Sequence, residues 1–157
     1  MVKPIPTGYH SLTPNITCNG AAQAIAWYGK VFDAQETVRM KAPGSDKILH
    51  AEIRIGDSIL MLADSDHESK DPQALGGVAG ALMLYTEDCD ATFDRAVQAG
   101  ATVLMPLTDM FWGDRFGRLR DPYGHVWAIA THKEDLSPAE MQKRQAEFMA
   151  QVARQPG

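Results

Sequence analysis

The first half of the chain alternates short apolar runs with one segment of helical spacing. Ile25, Tyr28 and Phe32 recur every three or four residues, so they share one face of a predicted helix, and Asn19 is placed to cap its start. Over residues 50–55, polar and apolar side chains alternate as in a strand with one buried face. The pattern therefore predicts the order β-α-β-β-β, with elements at 15–18, 21–32, 36–40, 50–55 and 59–62.

The second half repeats this order after a polar, glycine-rich connector at residues 64–80. The connector is a candidate linker between two halves or a lid over a site. Phe93, Ala96 and Val97 lie on one face of a second predicted helix, which Gly100 ends. The chain thus contains an internal repeat, for which we expect a helix at 87–99 and strands at 81–85, 102–105, 115–120 and 125–130.

A third amphipathic segment follows the repeat. Ser137 and Glu140 form a capping-box pattern, with Pro138 at the first helical position. The helix is expected to run toward residue 153 with a narrow, mainly apolar stripe made by Met141, Gln145, Phe148, Met149 and Val152. Such a stripe packs either on the helix's own domain or on a partner subunit, and the sequence leaves both alternatives open.

Composition narrows the class of protein. The 157 residues carry a formal net charge of −5, which argues against a nucleic-acid partner. No apolar run approaches the length of a membrane helix, and the N-terminus has no apolar signal core, so we expect a cytoplasmic protein without a membrane partner. Cys18 and Cys89 lie outside any Cys-x-x-Cys pair and are expected to be reduced, packed thiols.

Two segments carry a family resemblance, LHAEIRIGDSILMLAD at 49–64 and MFWGDRFGRLRDP at 110–122. Together with the tandem repeat, they resemble the vicinal-oxygen-chelate superfamily of glyoxalases, bleomycin resistance proteins and extradiol dioxygenases, and most closely its PhnB-like branch. The resemblance implies an α+β fold in which the curled sheets of modules 8–63 and 81–132 form a cup with helices outside. It also implies a single domain over 8–132, a helical tail at 133–157 and a homodimer.

The same resemblance locates a metal site for inspection. Catalytic members of the superfamily hold a divalent metal with four side chains, typically His and Glu, from the first and last strand of each module. The corresponding positions in this chain are Thr13, Met61, Ala81 and Ala128, none of which is a competent ligand. We therefore predict that the usual metal is absent.

Polar side chains at 50–54 are candidates for ligand binding. His50, Glu52 and Arg54 share one face of a strand, and they line the cup if the helices cover the opposite, apolar face. They equally suit a cross-strand charge ladder. A relocated metal site using His50, Glu52 and another histidine is a further alternative. His125 is expected on the helix side or at the opening of the cup, as a packed, hydrogen-bonded residue or as a general base.

The loop before the seventh predicted strand is the richest stretch. Arg115 is placed to clamp an anionic group and Trp112 to stack on a flat one, with Asp114 between them. The alternative is that an Asp114–Arg115 pair and aromatic plugs hold the loop. His132 follows the last strand and is expected at the surface.

These residues predict a glyoxalase/bleomycin resistance-type protein that binds a small organic molecule in a metal-free cup. No cofactor is predicted. The alternative is a metal-dependent lyase or dioxygenase with a rearranged ligand set, holding Zn, Ni, Mn or Fe. The sequence identifies neither the ligand nor a choice between binding and catalysis.

Overall fold

A computed structural model describes residues 2–154 as two β-α-β-β-β modules and a C-terminal helix, so Met1 and residues 155–157 of the predicted tail lie outside it. The first module contains β1 (Asn15–Cys18), α1 (Ala21–Phe32), β2 (Gln35–Lys41), β3 (Ile48–Ile55) and β4 (Ser58–Asp64). The second module contains β5 (Leu82–Tyr85), α3 (Cys89–Gln98), β6 (Thr102–Asp109), β7 (Asp114–Arg120) and β8 (Val126–His132). Between the modules lies the short helix α2 (Pro72–Leu75), and the chain ends in α4 (Pro138–Val152).

The two sheets have the same topology. Their strand orders are β1-β4-β3-β2 and β5-β8-β7-β6, with the first strand of each module parallel to the last and the other pairs antiparallel. The predicted α+β fold of two tandem modules with a C-terminal helix is therefore confirmed.

One hydrophobic core joins the modules. Alternation along β3 buries Ala51 and Ile53 completely, on the face that α1 covers. Across the module boundary, the Trp127 ring lies 4.6 Å from that of Phe32, and the Trp27 indole N–H donates to the Ala99 carbonyl oxygen at 2.8 Å. Because aromatic side chains from both modules are buried against each other, we expect the modules to fold as one unit.

The start of α1 differs from the prediction. Gly20, with φ of 90°, occupies the N-cap, and no side-chain cap comes from Asn19. The free N–H groups of Gly20 and Ala21 donate instead to Asp64 Oδ1, at 3.1 and 2.7 Å. The expectation for Asn19 was wrong because a carboxylate from the end of β4, distant in sequence, satisfies the orphan donors.

Strand β6 is longer than expected and continues through Pro106. Proline has no N–H for a ladder, so the pattern ends the strand at Met105. Because β6 is an edge strand, the missing donor is tolerated, and the register with β7 is irregular between Met105 and Thr108.

The connector is anchored at its middle. Asp71 caps the unpredicted α2 by accepting hydrogen bonds from the backbone N–H groups of Gln73 and Ala74. A Cβ added to Gly124 would lie 2.8 Å from the Cβ of Pro72, so this glycine permits α2 to pack on the turn before β8. The residues on both sides, 66–70 and 73–80, are exposed.

The C-terminal helix begins as predicted, with Ser137 Oγ accepting from the Glu140 N–H at 3.2 Å. None of its described residues is fully buried, although the Phe148 ring lies 5.2 Å from that of Phe111. Both cysteines are free and buried, as expected. No helix among residues 2–154 has the length and apolar character needed to cross a membrane.

Candidate functional site

Each sheet has one face turned away from the helices, which we call the open face. On β3, the open face carries His50, Glu52 and Arg54, as the alternating pattern predicts, since Ala51 and Ile53 fill the core. Glu52 is paired laterally with Met61 on β4. The three polar candidates of the first module therefore do share one surface.

Glu52 lies at the centre of a small polar cluster on this surface. The Tyr9 hydroxyl donates to one carboxylate oxygen, and the ring nitrogen Nε2 of His50 lies 3.0 Å from the other. The hydrogen bonds from Tyr9 and His50 hold the pKa of Glu52 below its ordinary value, and the Glu52 carboxylate raises the pKa of the Tyr9 phenol. Glu52 thus remains ionised and fastens the N-terminal segment to the open face of β3.

Asp114 is the centre of a second cluster, on the open face of the second module. It is 4% exposed and accepts three hydrogen bonds, from Tyr85 Oη at 2.9 Å, Trp112 Nε1 at 3.0 Å and His132 Nδ1 at 2.7 Å. Burial opposes ionisation, but the hydrogen bonds from His132, Tyr85 and Trp112 outweigh it and lower the pKa of Asp114. A buried, ionised carboxylate therefore orients all three side chains.

His132 is bound at both ring nitrogens. Its Nδ1 faces Asp114, and its Nε2 lies 3.0 Å from a carboxylate oxygen of the fully exposed Asp135. Hydrogen bonds to Asp114 and Asp135 raise the pKa of His132 above its ordinary value, and the hydrogen bond to Asp114 raises the pKa of Tyr85. The cluster thus favours an imidazolium at His132 and a neutral phenol at Tyr85.

Arg115 points to the opposite face of β7 from Asp114, so the alternative Asp114–Arg115 pair does not form. Successive side chains on a strand alternate between faces, and adjacent residues therefore cannot meet there. The Arg115 guanidinium instead contacts Asp90 at 2.6 and 2.7 Å and Asp109 at 3.3 Å. Asp90 and Asp109 thus already bind the Arg115 guanidinium, which was expected to clamp an anion. The role of Arg115 in ligand binding remains a prediction.

A groove of about 1070 Å³ lies where the two modules meet. Its walls are the turn between β3 and β4, the whole of β5, and the neighbouring ends of α1, α3 and β8. It brings together Arg54 from the open face of β3 and Tyr85 and His132 of the second cluster. A smaller cavity of about 370 Å³ lies beside Asp114 and Arg115. Polar side chains of both modules therefore line the same groove.

The strand register allows the usual metal positions to be tested. Thr13 and Ala81 precede β1 and β5, and the residues actually paired with Met61 and Ala128 are Asn15 and Met83. One amide, two thioethers and a methyl group do not suit Zn, Ni, Mn or Fe, which take His, Glu or Cys ligands. Residues 2–154 also contain no group of three His, Cys, Asp or Glu placed to hold a metal.

Three residues of these clusters are absent from the sequence-based candidates: Tyr9, Tyr85 and His132. His132 was expected at the surface and is indeed half exposed, but it is also the lateral partner of Asp114. The sequence indicates this placement only by the spacing of four residues between Ala128 and His132, which puts both side chains on the same face of a strand. His125 lies on the helix side, which is one of the two expected placements, with Nε2 2.8 Å from the carbonyl oxygen of Thr17.

Comparisons with known proteins agree with this architecture. The model of the family described as Glyoxalase/Bleomycin resistance protein/Dioxygenase superfamily matches residues 10–129. An uncharacterized protein of Mycobacterium bovis, Mb0911c, is 39% identical over 137 residues, covering 84% of this chain and 90% of that protein. An uncharacterized protein of Mycobacterium tuberculosis, Rv0887c, is also 39% identical, covering 84% of this chain and 80% of its own.

Solved structures share the fold. TioX from Micromonospora sp. ML1 has a TM-score of 0.62 at 25% identity and covers 82% of this chain and 100% of its own. The PhnB protein from Bacillus cereus has a TM-score of 0.62 at 22% identity, covering 78% and 99%. The fosfomycin resistance protein FosX from Mesorhizobium loti has a TM-score of 0.59 at 16% identity, covering 87% and 97%. The last two likenesses concern the fold alone.

Proposed function

Because this chain belongs to the Glyoxalase/Bleomycin resistance protein/Dioxygenase superfamily, we propose that it binds a small organic molecule in the groove between its modules, without the metal of the catalytic members. The observation that carries the proposal is a groove of about 1070 Å³ whose wall includes the guanidinium of Arg54, which makes no ion pair among residues 2–154. Typical ligand pockets have volumes of roughly 300–1,000 Å³. The groove is thus large enough for a ligand of several rings.

The lining of the groove suits a molecule with a flat apolar body. Leu60, Met83 and Trp127 supply apolar surface, and Tyr85 supplies an aromatic ring with a polar tip. Such a mixture of apolar contact and a few convergent polar groups is typical of small-molecule sites. We therefore expect the apolar body of the ligand to lie along β5.

Arg54 suits a negatively charged group on the same molecule. Within the described chain its guanidinium makes no ion pair, whereas Arg95, in the same groove, is held by the Val31 carbonyl oxygen and by Asp33. A free guanidinium can bind a carboxylate or phosphate with two parallel hydrogen bonds. The proposed ligand is therefore a small organic anion.

Ligand-induced stabilisation tests this proposal. We expect aromatic carboxylates and organic phosphates to raise the melting temperature of the wild-type protein, since a ligand that binds only the folded state stabilises it. Arg54→Gln should abolish the shift. Arg120→Gln is the matched control, because Arg120 is exposed on β7 and lies outside the groove. No shift with any anion would disprove the proposal, and an equal shift in Arg54→Gln would disprove the role of Arg54 as the anchor.

The metal-free part of the proposal is tested separately. Elemental analysis of untagged protein, purified without chelators and then soaked in Zn, Ni, Mn and Fe salts, should find less than stoichiometric metal. Near-stoichiometric metal would instead favour the metal-dependent lyase or dioxygenase.

We further propose a homodimer, since large apolar side chains remain exposed on strands and on α4. Met40, Met83, Leu104 and Met149 are each more than 40% exposed in the single chain. Sedimentation at micromolar concentration should give twice the monomer mass, and a monomer would contradict the proposal. The cytoplasmic location stays a prediction.

A further inference from the structure

We propose that His132, in its imidazolium form, is the second anion-binding group of the groove and donates from Nε2 to a carboxylate of the bound molecule. The inference rests on the proposed function, because it assigns a contact in the same groove. It goes beyond that function by naming the ligand class, an organic carboxylate, and by making its binding dependent on pH.

The geometry prepares His132 for this task. Asp114 accepts from Nδ1 at 2.7 Å, and the Tyr85 and Trp112 donors in turn fix the Asp114 carboxylate. The ring is thereby oriented from behind by a buried, ionised group, as in other sites where a carboxylate sets the tautomer of a histidine. The nitrogen that remains, Nε2, belongs to a residue of the groove wall.

Asp135 indicates what Nε2 binds. Its carboxylate lies 3.0 Å from Nε2, and its side chain is fully exposed to solvent. Exposed ion pairs of this kind contribute little to stability, so a competing carboxylate can replace Asp135 at small cost. We infer that Asp135 holds the position that the carboxylate of the ligand takes when it binds.

The charged groups around His132 favour the cationic form. Asp114 faces it from β7 and Asp135 from the segment after β8, while Glu87 lies in the same groove beyond β5. Tyr85, from β5, contributes a neutral phenol to the cluster. The cations nearby are Lys133, the next residue along the chain, and Arg54 and Arg95, which line the same groove. Carboxylate binding should therefore weaken as the pH rises through the raised pKa of His132.

Benzoate is a suitable probe, because it combines a flat ring with one carboxylate and stays ionised over the relevant range. We would measure its Kd by calorimetry on the full chain at one pH below the ordinary histidine pKa of about 6.5 and at one pH above the raised pKa of His132, which an NMR titration locates. The wild-type protein should bind benzoate about five- to tenfold more tightly at the lower pH. This factor is expected for one modest charge-assisted hydrogen bond at a half-exposed site. Benzamide, the neutral analogue, should show no such difference.

Variants distinguish this contact from the rest of the groove. His132→Gln should remove the pH dependence and weaken benzoate at the lower pH, whereas Asp135→Asn should bind benzoate several-fold more tightly. His67→Gln is the matched control, because His67 is exposed in the connector and also lies beside a carboxylate, at 3.7 Å. The indole N–H resonance of Trp112 should shift with benzoate, since that group shares Asp114 with His132.

The two proposals can fail separately. If Arg54→Gln abolishes benzoate binding while His132→Gln leaves both Kd and its pH dependence unchanged, the inference about His132 is wrong and the proposed function stands. If His132 matters and Arg54 does not, the anchor assigned to Arg54 is wrong. If the wild-type protein binds no benzoate at the lower pH, the inference about His132 is disproved.

Discussion

Removal of the Asp121 carboxylate is the sharpest test of how the two modules are joined. Asp121 lies in the turn between β7 and β8 and is 3% exposed. Oδ2 accepts from the Tyr28 hydroxyl at 2.7 Å and from Trp127 Nε1 at 2.9 Å, and Oδ1 accepts from the N–H groups of Tyr123 and His125, both at 2.9 Å. One side chain thus satisfies four donors, and one of these, Tyr28, comes from the other module.

The magnitude follows from those four donors. Each buried donor that loses its partner costs about 1–3 kcal/mol, and water entering the vacated space recovers part of the total. We therefore expect Asp121→Ala to lower the free energy of unfolding by about 3–5 kcal/mol, the range found when a buried charge network is broken. Tyr28→Phe removes one donor and leaves three, so it should cost about 1–2 kcal/mol.

Urea unfolding at neutral pH, followed by circular dichroism, measures these differences. Asp94→Ala is the matched control, since Asp94 is exposed on α3 and should change stability by less than about 0.5 kcal/mol. A loss of under about 1 kcal/mol for Asp121→Ala would refute the reasoning. Two separate transitions in the wild-type protein would refute the claim that the modules fold as one unit.

Two further predictions concern other contacts. Tyr9→Phe should raise the pKa of Glu52, which an NMR titration measures. The variant should be less stable than the wild-type protein above the pKa of Glu52, and the difference in stability should shrink as the pH falls through that pKa. An unchanged pKa of Glu52 would contradict the assignment. Gly117→Ala should cost about 1–3 kcal/mol in urea unfolding, because the added Cβ would lie 2.9 Å from Phe93 Cε2. Gly80→Ala, with no neighbour within 4 Å, should be neutral, and equal effects would refute the steric argument.

Local periodicity was sufficient for the order of elements within the two modules, although not for α2 in the connector, and for the faces of most strands. Alternation from 50 to 55 assigned Ala51 and Ile53 to the core and Glu52 to the open face, because one face of each sheet is buried under a helix. The end of α3 near Gly100 and the N-cap at Ser137 were also predicted correctly, since caps depend on neighbours a few residues away. The Glu140 carboxylate, however, binds Arg144.

Local periodicity could not predict the contacts between segments that are distant in the sequence. The donors at the start of α1 are satisfied by Asp64, which lies more than forty residues away, so Asn19 looked like the better cap. Likewise, Asp114 meets His132 only because β7 and β8 pair in one particular register. The sequence shows which face a residue occupies, but not which residue of the next strand lies beside it.

The strand register also determines which side chains lie at the expected metal positions. The register pairs Asn15 with Met61 and Met83 with Ala128, so the strand positions where the family resemblance implies metal ligands carry an amide, two thioethers and a methyl group. The ionised carboxylates lie elsewhere: Glu52 is on β3, and Asp114 is the first residue of β7. Each is already bound to a tyrosine and a histidine, which suits orientation of hydrogen-bond donors rather than coordination. This arrangement supports the proposal that the protein recognises an anion by hydrogen bonds rather than through a bound metal.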